Sequence, residues 1–148
     1  MGKSMDSAKR VISGTWGELW LNGEYVAECY GLQAKLSFTK EDVPICGQMM
    51  TDTKTVSVKG TGSVKLHKVN SRMAIVVGEY IVNGKDIRFV LVSKLDDPDA
   101  YGAERVSLSN VSFDDMTIAD WEAAKKGTVE CPFTFADKPK YLDRIGVQ

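Results

Sequence analysis

The chain has 148 residues, which is enough for one domain and too few for two ordinary ones. Its 19 Lys and Arg residues against 20 Asp and Glu residues give a net charge of -1, which argues against a nucleic-acid binder that relies on neutralising phosphates. No apolar run approaches the roughly 20 residues of a membrane span, so we expect no membrane binding. Residues 1–10 lack the apolar core of a secretory signal, so we expect an intracellular protein when it is made.

The N-terminal third predicts strands. Residues 12–21 lead into Asn22-Gly23, a favourable two-residue hairpin turn. Residues 25–38 then alternate between apolar and polar positions and predict one long strand, bent at Gly31. Residues 39–55 break this pattern and predict a protruding loop, because most hairpin loops have only about 2–5 residues. Residues 56–66 alternate again and predict two strands or one kinked strand around residues 60–62.

The remaining segments add two helices and three strands. Asn70 precedes apolar residues at helical spacing and predicts a short helix with an apolar stripe formed by Met73, Val76, Val77, Tyr80 and Ile81. Residues 87–95, 105–113 and 129–135 predict strands. Thr117 with Asp120 predicts a second short helix that turns Trp121 inward and ends at Gly127.

The sequence therefore predicts a mainly β fold, a barrel or sandwich of about seven strands with one or two short flanking helices. A single domain spans residues 1–148, with an N-terminal arm over 1–10, the loop over 39–55 and a polar C-terminal tail over 138–148. Because polar ends normally fray unless something restrains them, we expect contacts of both ends outside their own subunit. The expected buried core residues are Val26, Leu32, Leu36, Phe89, Leu91, Val106, Leu108, Trp121 and Phe133.

No pattern predicts catalysis, a metal site or a cofactor. His67 is the single histidine, and it has no acidic neighbour in sequence with which to form a triad or a zinc site. The acidic loop 96–102 fails as a calcium loop, because Tyr101 and Leu108 stand where acidic or amide ligands are required. Cys29, Cys46 and Cys131 are widely spaced, and we interpret them as small buried hydrophobes.

Two charged stretches indicate surfaces. Residues 53–78 contain four lysines and one arginine but no acidic residue, which fits either an anionic partner or, as we favour, the solvated face of an outer strand. The acidic residues of segment 114–122 fit the start of the second helix. A chain with one basic and one acidic stretch is also suited to head-to-tail self-association.

Three blocks carry a family resemblance: RVISGTWGELWLNGEYVAECYGLQAKL, EDVPICGQMMTDTKTVSVKGTGSVKLHKVNSRM and SKLDDPDAYGAERVSLSNVSFDDMTIADWEA, the last continuing to KGTVECPFTF. The chain resembles the tail tube protein of contractile-tailed phages, and more closely the tube family of Gram-positive defective prophages and phage-tail-like (R-type) bacteriocins. The resemblance implies a structural subunit without enzymatic activity. It also implies sixfold rings that close an inter-subunit barrel and stack into a hollow tube inside a contractile sheath, for DNA delivery or membrane puncture.

The resemblance further implies the partners and the location. These are other copies of the chain, the sheath protein, the tape-measure protein and the baseplate, with DNA passing through the lumen without specific binding where the particle carries it. Assembly would take place in the cytoplasm of the bacterial host, and the product would be the tail of a virion or bacteriocin particle. A conduit for DNA should not bind it, so we expect a contact with the sheath or with a neighbouring ring, away from the lumen, for the lysines Lys54, Lys59, Lys65 and Lys68.

The loop over 39–55 is the expected inter-ring contact. Apolar residues that a solvated loop would not favour are combined there with an acidic rim, which suits a basic partner. The residues concerned are Glu41, Asp42, Val43, Ile45, Met49, Met50 and Asp52. An ordinary loop folded on its own barrel is the alternative for this segment. For the whole chain, the alternatives are a monomeric β-barrel that binds a small ligand and a hydrolase that uses His67.

Overall fold

The computed structural model describes residues 6–75, 78 and 84–145. These residues form eight strands: β1 (Gly17–Leu21), β2 (Glu24–Tyr25), β3 (Cys29–Val43), β4 (Asp52–His67), β5 (Phe89–Leu95), β6 (Glu104–Phe113), β7 (Thr128–Phe135) and β8 (Lys140–Asp143). Two single 3-10 turns, Ala8–Arg10 and Gly14–Trp16, precede β1. Residues 72–75 and 78 are helical, and across the described ranges no helix has the length and apolarity that a bilayer span requires.

The strands form one antiparallel sheet in the order β2-β1-β5-β6-β7-β4-β3, with β8 also paired to β6. This confirms the mainly β fold that the alternation predicts. The sheet is not closed, and β3 at one end is hydrogen-bonded to β4 alone. Asn22 and Gly23 have φ angles of 50° and 87°, so the predicted tight turn joins β1 to β2.

One face of the sheet carries the core, in which Leu91, Val111, Cys131 and Phe133 are at most 1% exposed. The core prediction is confirmed for Val26, Phe89, Leu91, Leu108 and Phe133, while Leu32 and Val106 are half-buried against the same cluster. It is wrong for Leu36 and Trp121, which are 42% and 86% exposed.

Two glycines let β4 pass close beneath core aromatic rings. A Cβ atom at Gly60 would lie 2.5 Å from the ring of Phe135, and one at Gly62 would lie 2.6 Å from the ring of Phe133. Neither distance is physically possible without displacing a buried ring. The glycines therefore let the strand continue, and β4 runs unbroken through residues 60–62, where the sequence suggested an interruption.

Three expectations about chain segments need correction. The loop predicted over 39–55 is mostly hairpin, because β3 continues to Val43 and β4 begins at Asp52. The tail predicted over 138–148 contains β8, which pairs with β6. No helix forms over 117–126, where no apolar stripe is present to pack one against the sheet, and Ala124 has a left-handed φ of 64°.

The helix predicted from Asn70 is present in its first turn, where the Asn70 side-chain oxygen accepts a hydrogen bond from the Arg72 backbone N–H at 3.0 Å. Of its predicted apolar stripe, Met73 is buried. Val76, Val77, Tyr80 and Ile81 lie outside the described residues.

The described part of the N-terminal arm is held by its own chain. The Tyr101 hydroxyl donates to the Asp6 carboxylate at 3.1 Å, and the Arg10 guanidinium donates to the Asp99 carbonyl oxygen at 3.2 Å. The Arg10 guanidinium lies 4.9 Å from the centre of the Tyr101 ring. These contacts supply a restraint within the subunit for an arm that we expected other subunits to hold.

A partly buried ion pair fixes the helix start to the sheet. Arg72 Nε lies 2.8 Å from Glu28 Oε1, and the Glu28 side chain is 7% exposed. Burial raises the pKa of Glu28, but hydrogen bonds from its own backbone N–H and from Arg72, together with the charge of Arg72, outweigh burial and lower this pKa below the ordinary value of 4.5. The pair therefore stabilises the folded state only while Glu28 is ionised.

We predict that Leu91→Ala lowers the free energy of unfolding by about 2–5 kcal/mol, because it leaves a cavity in the core. Val90→Ala is the matched control, since Val90 is the adjacent residue on β5 and is 41% exposed. Urea denaturation of both variants measures the difference. Equal stability of the two variants would contradict the assignment of the core to the Leu91 face.

We predict that Glu28→Gln costs about 1–3 kcal/mol of stability at neutral pH, because it removes a charged hydrogen bond from a partly buried arginine. The pKa of Glu28 is lowered in the folded state, so the contribution is complete above pH 4.5 and is lost as the pH falls through the folded-state pKa. Thermal unfolding between pH 7 and pH 2.5 measures this as a gap between the two proteins that narrows in acid. Glu24→Gln is the control, because Glu24 contacts the same arginine at 3.4 Å but is 78% exposed; an equal loss in the control would contradict the role given to burial.

Candidate assembly surfaces

His67, the residue considered for general-base catalysis or zinc binding, makes packing contacts. The His67 ring stacks on the Tyr30 ring with centroids 4.4 Å apart, and its backbone N–H donates to the Glu28 carbonyl oxygen. Within the described ranges, no three His, Cys, Asp or Glu side chains are grouped closely enough to hold a metal ion. The arrangement around His67 therefore packs a strand end against β3, and none of the described residues is recorded as a hydrogen-bond partner that would orient the imidazole as a general base.

The three cysteines have different environments. Cys131 is buried in the core and Cys29 is partly buried, and in both cases burial raises the pKa of the thiol. Their thiolates are therefore disfavoured at neutral pH. Cys46, which we expected to be buried as well, is exposed.

Among the described residues, the largest element without a packing partner is the hairpin formed by the ends of β3 and β4. Every residue from Gln33 to Lys59 is exposed. β4 pairs with β7 only from Gly60 to His67, so the preceding half of β4 has β3 as its one partner. The hairpin therefore projects from the sheet as a two-stranded ribbon.

One face of this ribbon is apolar. Phe38 lies directly opposite Val58 in the ladder, Leu36 lies two residues before Phe38, and Val56 lies two residues before Val58. These four side chains, which we call the hairpin apolar face, are each between 42% and 58% exposed. The other face is polar, with Ser37 opposite Lys59. A two-stranded ribbon is at best marginally stable in water, so this face requires a cover.

A groove with apolar walls lies beside the hairpin apolar face. It runs between β3 and strands β6 and β8, and its lining includes Leu36, Phe38, Val106, Leu108 and Tyr141. From the sequence we expected Leu36 in the core and no surface here. Alternation distinguishes an apolar face from a polar one, and it does not tell whether the apolar face is buried within its own chain.

The hairpin tip, residues 44–51, forms a tight turn at its start. The Gln48 N–H donates to the Ile45 carbonyl oxygen at 3.2 Å, and Gly47 has a φ of 87°, which suits glycine. Met50 is 85% exposed, and Met49 is as exposed as a free side chain. The acidic residues flank this turn on the two strands, with Val43 opposite Asp52 and Glu41 opposite Lys54. The structure thus brings together at one end of the hairpin all seven residues that the sequence assigned to the inter-ring contact.

The four lysines of the basic stretch do not form one patch. β4 is about 50 Å long at roughly 3.3 Å per residue, and the lysines are spread along it. Lys54 lies near the tip and Lys59 and Lys65 lie on the polar face of the strand. Lys68 follows the opposite end, where its backbone N–H donates to the Gly127 carbonyl oxygen at 2.8 Å.

A second exposed apolar surface lies at that opposite end. Val69, Ile75, Ile118 and Trp121 are between 67% and 86% exposed, and we call them the far-end patch. Thr117 and Met73 line a common cleft, so the start of segment 117–121 lies beside segment 68–75. This surface was not predicted from the sequence, because we expected Trp121 on the inner face of a helix.

Comparison with known proteins identifies the family of this chain. A family model described as "Phage tail tube protein" matches residues 4–142. Two proteins of Bacillus subtilis (strain 168) are similar along most of their length: the uncharacterized protein YqbM, 38% identical over 135 residues, and the phage-like element PBSX protein XkdM, 37% identical over 132 residues. Both alignments cover 88% of this chain and 90% of the relative.

Solved structures share the fold. A chain of the sheath/tube terminator of an extracellular contractile injection system matches with a TM-score of 0.69 at 8% identity, covering 93% of this chain and 100% of that one. A chain of the corresponding sheath-tube complex matches with a TM-score of 0.66 at 9% identity, covering 94% and 98%. The family match and the two relatives confirm the resemblance carried by the three sequence blocks, and the chain belongs to the phage tail tube protein family, a structural and non-enzymatic family.

Proposed function

We propose that this tail tube protein closes as sixfold rings that stack into a hollow tube inside a contractile sheath. The single observation that carries the proposal is the hairpin apolar face, whose four side chains the described part of the chain leaves 42–58% exposed. A second copy is a suitable cover, because a tube subunit meets other copies of itself at fixed positions on every side.

Within a ring, the hairpin apolar face of one subunit would pack against the neighbouring subunit. The unpaired side of β3 offers backbone N–H and C=O groups to a strand of that neighbour, so the open sheets of successive subunits would continue into one inter-subunit barrel. Covering the exposed half of each of the four side chains would contribute about 1 kcal/mol apiece. The same contact repeated by rotation closes a ring.

Between rings, the hairpin tip would make the stacking contact. Met49 and Met50 supply flexible apolar side chains, and Asp42 and Asp52 supply charge beside them. Two exposed methionines at the end of a long hairpin favour a contact surface over an ordinary solvated turn.

Chains that share the fold support a proposal for the wider assembly. They come from structures of a sheath-tube complex, a tube-terminating cap and a baseplate. We propose a sheath, a tape-measure protein and a baseplate as partners, assembly in the cytoplasm of the bacterial host, and a final location in the particle tail. Lys59 and Lys65 are available on the polar face of the hairpin strands for a sheath or inter-ring contact.

We predict that Phe38→Asp abolishes ring and tube formation while leaving the monomer folded. Phe38 is 58% exposed, so a charge there is tolerated in the monomer but not beneath a neighbouring subunit. Sizing chromatography and negative-stain imaging at high protein concentration measure assembly, and circular dichroism measures folding. Ser37→Asp is the matched control, because it places the same charge on the polar face of the same strand, and we expect it to assemble normally.

Normal tubes from the Phe38→Asp variant would overturn the ring contact. A native chain that stays monomeric at high concentration would overturn the proposed function itself and would favour the monomeric ligand-binding barrel.

A further inference from the structure

The hairpin tip and the far-end patch lie at opposite ends of one strand. β4 begins at Asp52 beside the tip and ends at His67, which pairs with Thr128. Lys68 then bonds to Gly127, so the chain around residues 68–75 and the segment that precedes β7 both lie at the far end. A copy placed end to end with another therefore brings a tip of one against the far end of the next.

The far-end patch is unusually exposed for side chains of its size. Trp121 and Ile118 are 86% and 79% exposed, and Val69, which follows Lys68 at the same end of β4, is 73% exposed. Large apolar side chains exposed at one end of a domain mark interaction sites. A tryptophan is also a residue type that often dominates the free energy of binding at interfaces.

The far end carries charges of both signs, and its edge beside Gly127 is basic. Residues 41–52, which are the tip with its flanking strand ends, contain three acidic residues and no lysine or arginine. At the far end, Lys68 lies against Gly127, and Lys126 and Lys125 come immediately before that glycine. Lys125 pairs with Glu122 at 3.1 Å, and the rest of segment 114–122 is acidic. The charge that is opposite to that of the tip strands is therefore confined to the edge formed by Lys68 and Lys126.

We propose that the far-end patch is the seat for the hairpin tip of a copy in the adjoining ring; this inference rests on the proposed function. Met49 and Met50 pack on Trp121 and Ile118, where methionine sulfur makes favourable contacts with an aromatic ring. Asp42 and Asp52 lie beside Lys68 and Lys126. Since tip and seat differ, the contact is head-to-tail, and repeating it along an axis gives an open stack instead of a closed dimer.

The exposed thiol of Cys46 in the tip allows a direct test. Ile118→Cys places a second exposed thiol in the proposed seat, while Cys29 and Cys131 are shielded by burial. Assembled tubes are treated with diamide, which takes two electrons and two protons from each thiol pair as the disulfide forms. We expect a ladder of disulfide-linked chains on a non-reducing gel, because each subunit would be joined to one copy above and one below.

Two controls make the result specific. The ladder should disappear when Cys46→Ser is added to Ile118→Cys. Lys85→Cys, an exposed position outside both surfaces, should give no ladder. If Ile118→Cys itself prevents assembly, Lys126→Cys provides the thiol at the edge of the same patch.

The outcomes separate the inference from the proposed function. Normal tubes of the seat variants that give no more cross-linking than Lys85→Cys would overturn the seat, while leaving the tube subunit intact. Failure of the native chain to form rings or tubes would overturn the proposed function, and the seat with it.

Discussion

The structure depends on an amphipathic ribbon whose apolar face stays about half exposed over the described part of the chain. Hydrogen bonds to one neighbouring strand satisfy half of the backbone groups in an edge strand, and they do nothing for an apolar face turned to water. The hairpin apolar face has Phe38 and Val58 opposite each other in the ladder and exposed by 58% and 53%. A polar ribbon would be more soluble, and we therefore attribute the apolar residues to the neighbouring subunit that we propose.

The rest of the domain works as a rigid base for this ribbon. β4 belongs to both parts: its second half packs beneath Phe133 and Phe135, where Gly60 and Gly62 allow the close approach, and its first half projects into the hairpin. The Glu28–Arg72 pair holds the helix start against the strand that follows β2. A projecting element that transmits contacts between subunits requires such a fixed origin, because mobility at its base would weaken every contact it makes.

The sequence predicted the enclosed part of the fold well and the exposed part poorly. Leu91 and Phe133 were assigned correctly, since strands buried within one subunit show clear alternation or continuous apolar runs. Leu36 shows the same alternation but is exposed. Alternation identifies an apolar face, and it does not tell whether that face is buried within its own chain. The prediction for Trp121 was wrong for another reason. One capping residue and an acidic turn favour a helix locally, but no apolar stripe stabilises a helix there.

The tip residues stay a prediction, and the reason for it does not depend on the secondary structure. Met49 and Met50 stand among polar and acidic residues, and such a mixture is unsuited both to a core and to a solvated loop. The extent of the loop was wrong, since the strands continue further than the polar sequence suggested. The seat that we propose at the far end was not predicted from the sequence, because it draws on residues near 68 and 117 that are distant in sequence.

Hydrogen–deuterium exchange tests the central claim most directly, namely that another copy covers the hairpin. Backbone amides of residues 35–43 and 52–59 are compared between the dissociated chain and assembled tubes, with the amides of β7 as an internal reference. The account predicts fast exchange of the hairpin in the dissociated chain and strong protection in tubes, with β7 slow in both. Equally fast exchange of the hairpin in both states would contradict it.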